Sequence, residues 1–230
     1  MENLPWEAGG LPCLNLAATC AATRALGPGL RAVVWVQGCP LNCRGCIAPE
    51  WIPFRIERLV TPEALAEELL AQDNISGLTL SGGEPMLQAS GLAALTRAMR
   101  LQRDLSVICF TGYTLESLKH KPPGAGVDEL LHEIDVLIDA PYVEAQNNHR
   151  GLRGSTNQRI HHLTDKLVSA DFDFENTQRR TEIHLSSEGA LLVGVPPTGV
   201  LPAFQRVANR VLRDLTQWEA DHERHKSIDG

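Results

Sequence analysis

The sequence predicts an α/β fold built around a largely parallel β-sheet. Short apolar runs that end in Gly, Pro or polar clusters alternate with segments of helical period, a pattern typical of repeated strand–helix units. The chain has 230 residues, of which 43% are hydrophobic and 21% are charged. These proportions are typical of a folded globular protein, and the length is ample for a buried core.

The predicted strands of this sheet are four short runs rich in Val, Ile or Leu. They are Arg31–Gln37, Leu78–Leu80, Ser106–Thr111 and Asp135–Asp139.

Three segments between these runs have the period of amphipathic helices, namely TPEALAEELLAQ, SGLAALTRAMRLQ and VDELLHEI. The first opens with Thr61 as a predicted N-cap and Pro62 at the first helical position. Apolar residues then recur at helical spacing, so we expect them to face the core. These core-facing residues include Leu65, Leu69, Leu92, Leu95 and Met99.

The character of the chain changes at about Asp165, where charges increase and periodic apolar positions become rare. We predict a connector there, then a β-hairpin that turns at Ser186–Gly189, and a final helix from about Pro202 to Arg224. That helix carries an apolar stripe, so it should pack on the main domain or on another subunit. The stripe is Phe204, Val207, Val211, Leu215 and Trp218. We therefore expect a main domain with its N-terminal segment at 1–164 and a C-terminal extension at 165–230.

Charge and the N-terminal segment exclude several classes of protein. The net charge of −7 gives no indication of an extended positively charged surface, so general nucleic-acid binding is not expected. The N-terminus has no pattern of a secretory signal, and no apolar run approaches about 18 residues. We expect a cytoplasmic protein without membrane contact, in which thiols stay reduced and clustered cysteines bind metal or do chemistry.

The loop GCPLNCRGC carries such a cluster, with Cys39, Cys43 and Cys46 at CxxxCxxC spacing. A structural zinc site would need a fourth ligand, and no second CxxC or HxxxH pair supplies one. An iron–sulfur cube held by three cysteines instead leaves one iron open to a small molecule. The other cysteines, which are Cys13, Cys20 and Cys109, are scattered, and we expect them to be small buried apolar residues.

The segment SGGEP, at 81–85, directly follows the apolar run GLTL. Two glycines at the end of a strand let a ligand approach the backbone, and Glu84 offers a carboxylate to an ammonium group. Ligand sites gather at the carboxyl ends of parallel strands. Taken alone, the segment is better interpreted as a Gly-Gly turn with a solvated Glu, and only its pairing with the cysteine loop favours a ligand site.

The cysteine loop and SGGEP together resemble the radical S-adenosylmethionine (SAM) superfamily. Its members bind a [4Fe-4S] cluster through CxxxCxxC and hold the SAM amino group with a GGE segment on the next strand. GPGLRAVVWVQGCPLNCRGC resembles the opening of the glycyl-radical-enzyme activating enzymes. FTGYTLESL, IDVLIDAPYV and RGSTNQRI resemble, in order and spacing, the anaerobic ribonucleotide reductase activating enzymes. The resemblance extends from about Gly27 to His162.

The resemblance implies an incomplete parallel β/α barrel, with the cluster loop after its first strand and SAM along its C-terminal rim. The cofactors would be a [4Fe-4S] cluster on Cys39, Cys43 and Cys46, and SAM. An electron from the reduced cluster would cleave SAM to methionine and a 5′-deoxyadenosyl radical, which removes hydrogen from the substrate. No side chain would act as an acid or a base in that step.

The resemblance also implies two further sets of site residues. The SAM contacts would be Gly82, Gly83, Glu84, Pro85, Thr111, Gly112, Tyr113 and Asp139. Contacts to SAM, substrate or partner would come from Arg153, Ser155, Asn157, Gln158 and Arg159. The alternatives are a capping carboxylate for Asp139 and a solvated turn for the polar run. His161 and His162 are interpreted as ordinary polar residues.

The predicted function is activation of a partner glycyl radical enzyme, with a flavodoxin or ferredoxin as electron donor. Two departures from the family pattern bear on it: Gly45 stands where many radical SAM loops have an aromatic residue, and the chain continues well past His162. A radical SAM enzyme that modifies a small molecule or a peptide is therefore the first alternative. A metal-stabilised binding or redox module without enzymatic activity is the second.

Overall fold

The computed structural model describes residues 13–186, 189–211 and 213. Its main feature is a seven-stranded sheet in the order β3-β1-β2-β4-β5-β6-β7. The strands are β1 (Leu14–Thr23), β2 (Arg31–Val36), β3 (Arg58–Val60), β4 (Gly77–Gly82), β5 (Ser106–Phe110), β6 (Val136–Asp139) and β7 (Arg159–His162).

The four predicted strands, β2, β4, β5 and β6, form the centre of this sheet and pair in parallel. The prediction of a parallel sheet is therefore confirmed for the central strands. At the edges, β1 pairs antiparallel with both β2 and β3, and β7 pairs antiparallel with β6. These three strands were not predicted, because β1 is rich in Ala and Thr, and β3 and β7 are short and carry charged or polar residues.

Helices cover one face of the sheet: α1 (Pro62–Leu70), α2 (Ala89–Arg100), α3 (Leu115–His120) and α4 (Val127–Glu133). The predicted cap of α1 is confirmed, since the Thr61 side chain accepts a hydrogen bond from the Ala64 N–H. The predicted core residues of α1 and α2, including Met99, are fully buried against the sheet. Helix α3 was not predicted. None of the helices in the described ranges is long and apolar enough to cross a membrane.

The other face of the sheet is covered by the chain that follows β6. Trp35 and Ile108 of the sheet share a buried cluster with Leu152, Phe174 and Val193. Val193 lies in β9 (Gly189–Gly194), which pairs antiparallel with β8 (Thr181–Ser186) as a separate two-stranded ladder. Residues 200–211 are helical. The turn at 187–188 and the predicted helix beyond residue 213 lie outside the described residues.

Arg31, at the start of β2, joins three parallel strands through its side chain. Its Nε donates to Thr79 Oγ1 at 2.7 Å, and its amino groups donate to the Ser106 hydroxyl and to the carbonyls of Pro28, Leu78 and Ser106. The residue is completely buried, and a Cβ at Gly77 would lie 2.2 Å from its Nη1. Arg31 therefore anchors the amino ends of the strands whose other ends carry the site.

We expect Arg31→Met to destabilise the fold strongly. It leaves buried carbonyl and hydroxyl groups without a donor, and each such group costs about 1–3 kcal/mol. The free energy of unfolding, measured in urea, should fall by at least about 2 kcal/mol. The exposed Arg24 is the matched control, since Arg24→Met should change stability by less than about 0.5 kcal/mol. Equal stability of the two variants would contradict an anchoring role for Arg31.

Candidate functional site

A cavity lies at the carboxyl ends of the parallel strands and brings the two sequence motifs together. Of the residues singled out in the sequence, those that line it are Cys39, Cys43, Cys46, Gly82, Gly83, Glu84, Thr111, Gly112 and Gln158. They come from four segments that are far apart in sequence. Three of them follow the parallel strands β2, β4 and β5, and Gln158 directly precedes the antiparallel strand β7, so all four lie at the carboxyl ends of the central strands.

Backbone hydrogen bonds hold the cysteine loop after β2. The Gly38 N–H donates to the Trp51 carbonyl at 2.9 Å, and the Cys39 N–H donates to the Ile52 carbonyl at 3.0 Å. A turn then joins the Cys46 N–H to the Cys43 carbonyl at 3.2 Å. The loop therefore has a defined path that places all three thiols in the wall of one cavity.

The backbone conformation at Gly45 suits a glycine, whereas many related loops have an aromatic residue at this position. Its φ is +75°, a conformation that L side chains rarely adopt. A Cβ at this position would also lie 2.9 Å from the carboxyl carbon of Glu144. The departure noted in the sequence therefore agrees with the local backbone geometry and does not depend on the crowding, since the Glu144 side chain is exposed and could move aside.

The three thiols suit a cluster better than a single ion. They are half-buried, and within the described ranges no three Cys, His, Asp or Glu side chains converge closely enough to hold one metal ion. A cubane cluster binds one thiolate at each of three irons, so its cysteines stand further apart than ligands of one ion. Burial raises the pKa of the Cys39 and Cys46 thiols, so metal binding has to displace their protons.

A fourth protein ligand is not at hand among the described residues, since no His and no other Cys lines the cavity. Cys20 and Cys109 are buried in the two hydrophobic clusters, as predicted, whereas Cys13 is only half-buried. The donor set therefore fits a three-cysteine [4Fe-4S] cluster better than a four-ligand zinc site.

The two glycines of SGGEP pack directly against the end of β2 and the first residue of the cysteine loop. The Gly83 N–H donates to the Val36 carbonyl at 2.7 Å, and the Glu84 N–H donates to the Gly38 carbonyl at 2.9 Å. A Cβ at Gly82 would lie 2.3 Å from the Val36 nitrogen, and one at Gly83 would lie 2.3 Å from the Gly38 oxygen. These glycines are thus needed for contact between the two motifs, a reason that the sequence did not reveal.

The carboxylate of Glu84 is buried and held in a fixed orientation. Its Oε1 accepts from the Met86 N–H at 2.9 Å and from the Thr111 hydroxyl at 2.8 Å, and its Oε2 accepts from the Gly112 N–H at 2.9 Å. A carboxylate oxygen can accept about two hydrogen bonds, so Oε2 retains one acceptor position. Burial raises the pKa of Glu84 to about 7, although these three donors oppose the shift.

Asp139 and Arg159 lie outside the cavity lining and bind each other. Asp139 is fully buried, its Oδ2 accepts from the Leu115 N–H at 2.7 Å, and Arg159 donates to both of its oxygens. Burial alone would raise the pKa of Asp139, but these donors, with His161 2.9 Å away, hold it below its ordinary value. Arg159 also forms a bidentate pair with Glu116. This geometry matches the alternative of a capping carboxylate at the start of α3.

The polar run after β6 is mostly engaged in its own loop. Gln158 accepts from the N–H groups of Gly154 and Ser155 and donates to the Ala140 carbonyl at 2.9 Å. Ser155 and Asn157 contact the backbone of residues 141–143, and Arg153 donates to the Gln158 carbonyl at 3.1 Å.

Pro85 and Tyr113 also lie outside the cavity lining. Pro85 is buried at the start of a short 3-10 helix, Pro85–Gln88. Tyr113 packs against the helix-side core, where burial, followed by the charges of Glu84 and Cys39, raises the pKa of its hydroxyl. Tyr113 therefore stands close to the site without forming part of the cavity wall.

Comparison with known proteins agrees with this arrangement. The model of the family described as a 4Fe-4S single cluster domain matches residues 25–161, which include both motifs. The chain belongs to this family.

Individual relatives show the branch of the family. The anaerobic ribonucleoside-triphosphate reductase-activating protein of Enterobacteria phage T4 is 33% identical over 152 residues, 63% of this chain and 92% of the relative. The protein of the same name from Vibrio cholerae is 34% identical over 148 residues, 60% and 91% of the two chains. A pyruvate formate-lyase-activating enzyme of Staphylococcus epidermidis is 31% identical over 61% of this chain and 58% of its own length. The chain is thus a radical SAM enzyme of the activating-enzyme branch, whose cofactors are a [4Fe-4S] cluster and SAM.

Sixteen further residues of the described ranges line the cavity, and none of them was predicted from the sequence as a site residue. They are Leu26, Trp35, Leu41, Ile47, Ala48, Ile52, Ser81, Phe110, Ala140, Tyr142, Asn147, Gly154, Arg179, Gly194, Val195 and Pro196. Tyr142 lies in the motif IDVLIDAPYV, so the family resemblance could have indicated it as a site residue. Arg179 and residues 194–196 lie beyond the family match, in a segment interpreted as a connector and a hairpin, and no motif marked them.

Proposed function

We propose that this chain activates a glycyl radical enzyme, of the kind that reduces ribonucleotides anaerobically, by removing a hydrogen atom from a glycine of that partner. The observation that carries the proposal is the single cavity in which three cysteines of one loop face a GGE segment. The activating enzymes among the relatives support the same reaction.

In this proposal Cys39, Cys43 and Cys46 hold the cluster, and its fourth iron is left for SAM. When bound and reduced, the cluster would supply the electron for cleavage of SAM to methionine and a 5′-deoxyadenosyl radical. Gly82 and Gly83 allow the SGGEP segment to pack against the cysteine loop. Oε2 of Glu84 accepts a hydrogen bond from the SAM amino group. Thr111 and Gly112 support this interaction indirectly, because they orient the Glu84 carboxylate.

The rest of the cavity wall orients SAM and excludes water. Trp35, Phe110 and Val195 present apolar surface to the cavity, and Trp35 packs against Trp51 in a tilted arrangement with ring centroids 5.7 Å apart. A dry wall protects a radical from stray hydrogen donors, so these side chains act by shielding the reacting atoms.

We further propose that the sheet is a partial barrel of the radical SAM type, with 1–164 as its domain and 165–230 as an extension. The open edges of the sheet, β3 and β7, leave a side at which a partner segment could enter. The electron donor would be a flavodoxin or a ferredoxin.

Replacing Glu84 by Gln should weaken SAM binding while the cluster remains. Loss of a charge-assisted hydrogen bond corresponds to about 1.5–3 kcal/mol, or about 10- to 150-fold in Kd. Because the pKa of Glu84 is raised to about 7, the carboxyl is mostly neutral below that pH and cannot pair with a cation. SAM affinity of the unmodified protein should therefore increase between about pH 6 and about pH 8.

Anaerobic SAM titration at several pH values measures both effects. The Gln variant cannot ionise, so the difference between the two proteins should be largest above about pH 8 and should nearly vanish below about pH 6. A difference that is the same at every pH would contradict a role for the Glu84 charge.

The proposed function is tested by anaerobic reconstitution with iron and sulfide, followed by reduction in the presence of SAM. We expect 5′-deoxyadenosine, detected by chromatography. Addition of a glycyl radical enzyme encoded in the same genome should give a doublet electron paramagnetic resonance signal on that partner. A well-formed cluster that yields no 5′-deoxyadenosine would overturn radical chemistry. Cleavage of SAM without a protein radical would overturn activation of the partners tested.

Modification of a small molecule or a peptide is the second candidate. One observation favours it: Arg179 and residues 194–196, which lie outside the family match, form part of the cavity wall. A part of the wall that lies outside the family match would change what the radical can reach.

A further inference from the structure

We propose that Arg179 binds a carboxylate of the substrate inside the radical cavity, so that this chain selects an acidic substrate group. The inference rests on the proposed function, because it concerns which substrate meets the radical. Arg179 belongs to the C-terminal extension and lines the same cavity as the three cysteines and Glu84.

The guanidinium of Arg179 is a buried cation whose hydrogen bonds all go to uncharged groups. The residue is only 6% exposed. Within the described residues its partners are backbone carbonyl oxygens, among them Gly151 at 3.3 Å from Nε and Arg153 at 2.8 Å from Nη2. Further carbonyls of Arg150 and Gly154 surround Nη2. Among the described residues, its charge is thus solvated by peptide groups and is not neutralised by a carboxylate.

One amino group of Arg179 is left with spare donors. Nη1 carries two N–H groups, and its one hydrogen bond in the described chain is a long contact of 3.5 Å to the Pro196 carbonyl. Pro196 lines the cavity as well. With respect to the described residues, Nη1 therefore retains an N–H group that is free to donate to a ligand.

A buried guanidinium without a counter-ion favours an anion in its cavity. Burial lowers the pKa of Arg179. Tyr142 also lines the cavity and accepts from the Asn147 amide at 3.2 Å. A carboxylate beside Nη1 would supply the missing charge and form the short charge-assisted bonds that arginine makes best.

The anion should belong to the substrate and not to SAM. The relatives from phage T4 and Vibrio cholerae are covered to 92% and 91% by alignments of 152 and 148 residues. They therefore have few residues left to supply a counterpart of the extension, which lies beyond the family match at 25–161. Because SAM is common to the family, a residue outside the family match is better suited to recognition of the substrate than of SAM.

Glu84 and Arg179 are the carboxylate and the guanidinium of the cavity wall, and they come from different segments. In the proposed function Glu84 receives the SAM amino group. Arg179 then provides a second, oppositely charged contact for a molecule beside SAM. The cavity thus has a hydrogen-bond acceptor for a cation at Glu84 and a hydrogen-bond donor for a carboxylate at Arg179.

The test compares two small probes that differ in charge, N-acetylglycine and N-acetylglycinamide. Binding of each to the reconstituted, SAM-loaded full chain is measured by anaerobic calorimetry, which does not require SAM cleavage. We expect the unmodified protein to prefer the acid by at least about 10-fold. Arg179→Met should remove the preference, and Arg179→Lys, which keeps the charge but loses the fork, should retain part of it.

Arg180→Met is the matched control, since Arg180 is the exposed neighbour and does not line this cavity. It should keep the full preference. An unmodified protein that binds acid and amide alike would overturn the proposal without reference to any variant. So would an Arg179→Met protein that keeps the preference, or one that loses affinity for SAM itself by a similar factor. None of these results depends on whether a glycyl radical forms, so the proposed function is judged separately.

Discussion

Replacing Cys43 by Ala should abolish both the iron–sulfur cluster and SAM cleavage. Cys43 is the central cysteine of the loop, and the turn between its carbonyl and the Cys46 N–H leaves the neighbouring thiols in place. A cube that already lacks a fourth protein ligand would then keep only two thiolates. The absorption of the reconstituted protein near 400 nm and its iron content should fall to background, and no 5′-deoxyadenosine should form.

Cys13→Ala is the control for this experiment, because Cys13 is also half-buried but does not line the cavity. We expect it to load iron and cleave SAM as the unmodified chain does. The same iron content in both variants would show that Cys43 is not a ligand. Loss of the cluster in both would indicate that thiol number, and not position, governs loading.

Replacing Gly83 by Ala should have the next largest effect, although Gly83 offers no side chain to any ligand. The added Cβ would lie 2.3 Å from the Gly38 oxygen, at the root of the cysteine loop. Because the contact is with backbone, either the loop or the SGGEP segment has to move. Overpacking of this kind typically costs about 1–3 kcal/mol of stability. We expect weaker cluster loading and weaker SAM binding together, measured as iron content and SAM Kd.

Gly124→Ala provides the comparison, since a Cβ at Gly124 would meet its nearest atom, the Met86 oxygen, at an ordinary 3.5 Å. That variant should load the cluster and bind SAM normally. If Gly83→Ala weakened SAM binding while iron content stayed complete, the glycine would serve the ligand directly and not the contact between motifs.

Much of the fold followed from local patterns. The central strands and the helices α1, α2 and α4 were predicted because near-continuous apolar runs and helical spacing are local signals. The edge strands were not, because β7 contains Arg159, Ile160, His161 and His162 and is set by pairing with β6. The capping residue Thr114 precedes α3, yet that helix of six residues is too short for its period to be seen.

The site was predicted where a motif is contiguous and missed where the fold alone assembles it. The cysteine loop and SGGEP each occupy one stretch, so their residues could be named. Gln158 also lines the cavity. Asp139 and Arg159 instead bind each other, and this pairing across 20 residues has no sequence pattern that would predict it. Arg179 reaches the cavity through the packing of a segment whose composition resembles a linker.

The hydrogen bonds of the cysteine loop have a consequence for assembly of the holoenzyme. Trp51, Ile52 and the SGGEP backbone hold the loop through peptide groups, and none of these contacts uses a thiol. The loop is thus held by peptide groups that do not depend on its thiols. We therefore expect that a chain that has lost its iron to oxygen can be reconstituted with iron and sulfide without being unfolded and refolded.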